Sequence, residues 1–168
     1  MQVSWSFGGG DGSLNASTDF ESWTARLATA IAAALREIAP RLSTESVALF
    51  AVDCHPWQCC VGPAILTGDE LAENRTLAEP SHMAEWRYYD FASELEAGRL
   101  FIPLGEEMRS AYYQSEDKPA TAVRFLEACA VAATSPQVAE ALALLKRRRG
   151  FRVSVTHPDS DQEFVVRG

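Results

Sequence analysis

The chain lacks any apolar run long enough to cross a bilayer. Its longest, Leu27 to Leu35, already contains Thr29, against about 20 residues for a spanning helix. The start, MQVSWSFGGGDGS, lacks the basic residues and apolar core of a secretory signal, so a cytoplasmic setting is expected. There the four cysteines, Cys54, Cys59, Cys60 and Cys129, are expected as reduced thiols rather than bridges. Asn15-Ala16-Ser17 and Asn74-Arg75-Thr76 match the glycosylation pattern, which is meaningless in that compartment.

A positive balance is missing too: 15 Lys and Arg face 23 Asp and Glu, for a formal net charge of −8. Nucleic acid and anionic lipid both require a basic footprint, so neither is expected as the main partner. A basic protein suits this charge, although solubility alone also accounts for it. There is no internal repeat and no low-complexity tract. Gly8-Gly9-Gly10 is not followed by Gly-Lys-Ser/Thr, so no phosphate-cradling loop is present and no cofactor is implied. Histidine is scarce, with only His55, His82 and His157.

What remains is ordinary globular usage: 168 residues, 47% apolar and 23% charged. That length and composition predict one α+β domain over residues 1–168 that builds its own core. After the glycine-rich stretch 8–13, Thr18 and Glu21 have capping-box spacing. Phe20, Trp23, Leu27, Ile31, Ala34, Leu35 and Ile38 then share an arc of about 120° on a helix, which Pro40 ends.

Ser46 to Val52 reads as a strand buried on both faces. Asp53 to Gln58 reads as a turn, and Cys59 to Leu66 as its hairpin partner. Pro63 confines that second strand to an edge or a bulge. Residues 69–82 read as loop with one helical turn, and 84–91 fit strand or helix equally, so 69–100 stays open. Leu104, Met108, Ala111 and Tyr112 have helical spacing. Pro119 and Ser135-Pro136 open two further helices. The last is expected to end at Lys146-Arg147-Arg148-Arg149-Gly150, cations on the negative end of the dipole followed by a C′ glycine. Phe151 to Thr156 and Glu163 to Arg167 then form a C-terminal hairpin. Together these give an antiparallel sheet with helices packed on one face.

The densest reactive cluster is Asp53-Cys54-His55-Pro56-Trp57-Gln58-Cys59-Cys60. Cys54, His55 and Cys59 are the candidate metal ligands, since thiolate and imidazole both suit zinc. Their spacing matches no zinc pattern, and Cys59 and Cys60 on a strand point to opposite faces. Cys54 with His55 is also a candidate nucleophile and base, though sequence neighbours rarely face one another. Glu106-Glu107 is most simply a favourable placement at a helix start. The aromatics Trp86, Tyr88, Tyr89, Tyr112 and Tyr113 are the candidate interface residues, because such side chains dominate interface hot spots; core burial is their commoner fate.

The order of a long amphipathic helix, the SVALFAVD strand, Asn74-Arg75-Thr76, Ala84-Glu85-Trp86-Arg87-Tyr88 and a helical second half resembles the uncharacterised bacterial family called domain of unknown function 4303. It is also similar to immunity proteins of bacterial toxin systems. The resemblance implies a small acidic α+β binder and carries over no catalytic residue. The expected function is therefore a non-catalytic protein-binding module, with toxin neutralisation as its specific form. The alternative is a small metal- or thiol-dependent enzyme built on the Asp53–Cys60 turn.

Overall fold

The computed structural model describes residues 17–167; the Gln2–Phe7 segment, the glycine-rich stretch 8–13 and most of the Asn15 tripeptide lie outside them. Helix α1, Phe20–Ile38, is the amphipathic helix expected, with Trp23, Leu27, Ile31, Ala34, Leu35 and Ile38 all buried. Its cap lies one residue later than the spacing suggested. Asp19, not Thr18, accepts the Ser22 N–H, at 3.1 Å, because a carboxylate also serves the helix dipole there. Pro40 sits in the 3₁₀ turn Ala39–Leu42 that ends the run.

Strands β1, Val47–His55, and β2, Cys60–Thr67, pair antiparallel around the 3₁₀ turn Pro56–Gln58. Strands β3, Arg147–Thr156, and β4, Glu163–Arg167, form the second hairpin. The sheet order is β2-β1-β3-β4. The α+β class and the C-terminal hairpin stand, but the sheet is mixed rather than antiparallel, since β3 joins β1 in parallel. Antiparallel β2 already ends beside the start of β1, and the long helical connection carries the chain from there to the other side of β1, where β3 starts in parallel with it.

That connection holds α2, Gly68–Glu73, then α3, Phe101–Gln114, α4, Lys118–Ala133, and α5, Pro136–Leu142. The core of α1, α3, α4 and α5 packs on one face against Phe50, Val52 and Cys54 of β1 and Val153 and Val155 of β3. The other face, with Leu49, Ala51 and Leu66, is covered by Leu77, Met83 and Trp86. Strand β1 is thus buried on both faces, as its continuous apolar run implied.

The open stretch is resolved by capping. Thr67 and Glu70 form a full capping box that starts α2, and 3₁₀ turns follow at Arg75–Ala78 and Pro80–Glu85. Residues 84–91 form neither strand nor α-helix. A single bridge from Tyr88 covers the edge of β2, with the Ile65 N–H donating to the Tyr88 carbonyl at 3.1 Å. Strand β2 is an edge strand, which is where Pro63 is tolerated.

The cationic run departs from expectation. Helix α5 ends at Leu142, and Arg147–Gly150 begin β3 instead. The Val47 N–H donates to the Lys146 carbonyl at 2.7 Å, so sheet pairing takes this backbone; long solvated cations fit either conformation.

Candidate functional site

Strand alternation sends Cys54 to the helical core, between Asp53 and His55 on the other side. Asp53 accepts the Tyr89 hydroxyl at 2.7 Å and pairs with His55 Nε2 at 3.0 Å. Across the hairpin its partner is Gly62, where a Cβ would stand 3.2 Å from Asp90 Oδ1. The bare glycine lets the two carboxylates share one end of the hairpin.

A cleft of about 580 Å³ opens beside them, between the outer strand β2 and the segment 89–102. Five carboxylates line it, Glu37, Asp53, Asp90, Glu94 and Glu96, against the single guanidinium of Arg99. Four of the five are engaged within the fold, Glu94 through Arg41 at 4.0 Å. Glu37 accepts the N–H groups of Glu96 and Ala97 at 2.9 and 3.0 Å, Glu96 pairs with Arg99 at 3.3 Å, and Asp53 holds Tyr89 and His55. Asp90 has no cationic partner among the described residues. The nearby Ser93 hydroxyl is given to the Asp90 carbonyl at 2.8 Å.

Two residues of the cleft have left-handed backbone, Cys59 at φ 64° and Asp90 at φ 49°. Non-glycine residues in that region are held there by their surroundings and concentrate at functional sites. For Cys59 the surrounding is α3, since a Cβ on Gly105 would lie 2.3 Å from the Cys59 carbonyl oxygen. The left-handed turn also breaks strand alternation, so Cys59 and Cys60 line the same cleft, against the expectation that they face apart.

The electrostatics have one sign. Burial raises the Asp90 pKa, the Ser93 hydroxyl lowers it and the charge of Asp53 raises it again, for a net rise. Burial and the hydrogen bond to Asp53 raise Tyr89 far above its usual range. Burial, then Asp53 and Asp90, raises Cys60. The hydrogen bond to Asp53 raises His55. Every net shift favours the species carrying less negative or more positive charge, burial leading for Asp90, Tyr89 and Cys60 and Asp53 raising all four. The raised pKa keeps Cys60 as a thiol at neutral pH, which is the unreactive form.

The candidate metal ligands are not gathered. Cys54 is fully buried, its Sγ 3.6 Å from the Met108 sulfur, and its pKa is raised well above the usual value by contact with Cys129 and by burial. His55 and Cys59 lie elsewhere on the turn, and among the described residues no three His, Cys, Asp or Glu side chains are grouped to hold a metal.

The aromatic candidates fall into separate places. Trp86 is core, its indole N–H donating to the Leu77 carbonyl at 2.7 Å. Tyr88 donates to Glu45 at 2.7 Å. Tyr89 belongs to the cleft. Tyr112 and the exposed Tyr113 stand across the Pro56–Gln58 turn, where Trp57 lies 6.0 Å from Tyr112 and 6.1 Å from His157, ring to ring. The turn therefore has an acidic cleft on one side and a half-exposed aromatic cluster on the other. Asp90, Glu37 and Gly105 stand in no pattern that marks them in the sequence. The only local signal was Gly62, a glycine inside an apolar strand, which marks close approach.

No family model matches the chain, and comparison with curated proteins and with solved structures finds no match either.

Proposed function

We propose that the chain is a non-catalytic, cytosolic protein-binding module that receives a cationic segment of a basic partner protein in the Asp53–Asp90 cleft, with Trp57, Tyr112 and Tyr113 across the turn as a second, apolar contact. Toxin neutralisation is the specific form of this role that the family resemblance suggests. The carrying observation is Asp90: a carboxylate fixed in left-handed backbone, beside a second carboxylate, with no cation paired to it among the described residues. An incoming Lys or Arg relieves that repulsion, and opposite potentials steer its approach. The aromatic cluster across the turn supplies the large side chains on which interface affinity concentrates. Four free thiols fit a reducing compartment, and no described helix is long and apolar enough to cross a membrane.

The test is affinity capture from a lysate of the source organism, at about 50 mM salt and again at about 500 mM, where charge pairing is screened. A basic protein retained in stoichiometric amount by the wild-type chain, lost at high salt and lost with Asp90→Asn/Glu94→Gln, supports the reading. Recovery of no stoichiometric protein, or of one indifferent to both changes, removes it.

A further inference from the structure

Four of the chain's 15 cations, Lys146, Arg147, Arg148 and Arg149, are consecutive and exposed. At a helix C-terminus the dipole would explain them, but Arg147, Arg148 and Arg149 stand in a strand, with Lys146 just before it, where no such field exists. None has a carboxylate within ion-pair distance among the described residues, whereas Arg152 in the same strand pairs with Glu163 at 3.8 Å. The run is also displaced from the sheet. Val47 pairs with Arg147, yet Leu49 pairs with Arg152, so β3 carries three more residues than β1 over this interval. Gly150, at φ 83° with nothing within 4 Å of a Cβ built there, turns the bulge into open solvent. Arg148 anchors its base on the Gly68 carbonyl at 3.3 Å, and Arg147 lies over the Phe151 ring at 5.5 Å.

We propose that this bulge is a binding site for the phosphodiester backbone of nucleic acid. Packing four like charges in sequence raises the energy of the free protein, and a polyanion removes that repulsion. Three of the four are arginines, whose planar guanidinium bonds phosphate in bidentate fashion. The overall charge of −8 does not forbid it. Strand β1 runs from beside Arg147 at Val47 to the acidic cleft at Asp53, about 20 Å at about 3.3 Å per residue. That exceeds two screening lengths of about 8 Å at physiological salt, so a ligand at the bulge meets mainly the local charge. The site is separate from the cleft and does not depend on the cleft's role.

Fluorescence anisotropy of a labelled oligothymidylate of about 20 nucleotides tests it, with log affinity measured against log salt. Four phosphate contacts predict a slope near −3 for a single strand, about −0.7 per contact. Arg147→Glu/Arg149→Glu should weaken binding more than tenfold, Arg147→Lys/Arg149→Lys far less, and Asp90→Asn/Glu94→Gln should leave it intact. Arg148 is left in place because it also holds Gly68, and unchanged circular dichroism verifies that each variant folds. No binding at about 20 mM salt, where screening is weak, overturns the proposal, as does binding unaltered by charge reversal. Tighter binding of a polyglutamate of equal charge overturns it in favour of an acidic protein segment.

Discussion

Glu70 is a buried carboxylate surrounded by donors: Thr67 N and Oγ1 at 3.2 and 2.8 Å, and the Arg87 N–H at 2.7 Å. It ties the start of α2 to the segment that covers the sheet's second face. Glu70→Ala leaves those donors without a partner, at an expected cost of about 3 kcal/mol in urea denaturation, with Glu70→Gln costing less because one acceptor survives. His55 carries a pH signature. Its folded pKa is raised by the bond to Asp53, so its contribution is fully present below the unfolded value of about 6.5 and is lost as pH rises through the folded one. His55→Gln should therefore lose more stability at about pH 5.5 than at about pH 8. Proton NMR of the His55 ring should show its midpoint falling in Asp53→Asn; an unmoved midpoint would refute the pairing. Asp90 has the opposite sign. A carboxyl raised above its unfolded pKa makes the folded state less stable at neutral pH, a penalty that shrinks as pH falls below the folded value and is gone below the unfolded one. Asn also suits left-handed backbone. Asp90→Asn is therefore expected to hold or raise the melting temperature at pH 7 while weakening partner binding, the mark of a residue kept for function rather than stability.

At the scale of elements, α3 and the β1–β2 turn fix each other through Gly105. Helix propensity alone favours Gly105→Ala by about 1 kcal/mol. The 2.3 Å approach of that Cβ to the Cys59 carbonyl opposes it, because backbone cannot yield as a flexible side chain can. Gly105→Ala should lower stability by about 1–3 kcal/mol in thermal denaturation and loosen the cleft; a higher melting temperature would show that the turn is free to move. This contact was invisible in the sequence, since it joins residues 46 positions apart. Helix α1 and strand β1 were legible because their apolar periods are long and unbroken. The boundary between α5 and β3 was not. Lys146–Arg149 suit a helix end and a solvated strand alike, and the deciding bond comes from Val47, far away in sequence. The segment 84–91 was ambiguous for a related reason: Trp86, Tyr88 and Tyr89 each turn to a different distant acceptor, Leu77, Glu45 and Asp53, so no single period describes them.

Over the whole molecule, composition and pattern yielded the α+β class, the two hairpins and the buried central strand, while the parallel join between hairpins depended on the path of the helical connection. The candidate site was half legible. The Asp53–Cys60 turn and Tyr89 could be named from the sequence, but their meeting with Asp90 and Glu37 needed the fold. The resulting charge layout is polar along β1, with cations unpaired among the described residues beside its start and the carboxylate cleft at its end. Heteronuclear NMR titration with a short Lys/Arg peptide, at about 50 mM salt, tests the cleft reading most directly. Binding in the cleft predicts saturable shifts confined to Asp53, Cys59–Gly62 and Tyr89–Glu96, abolished by Asp90→Asn/Glu94→Gln. Shifts scattered over the acidic surface, or persisting in that variant, would contradict it.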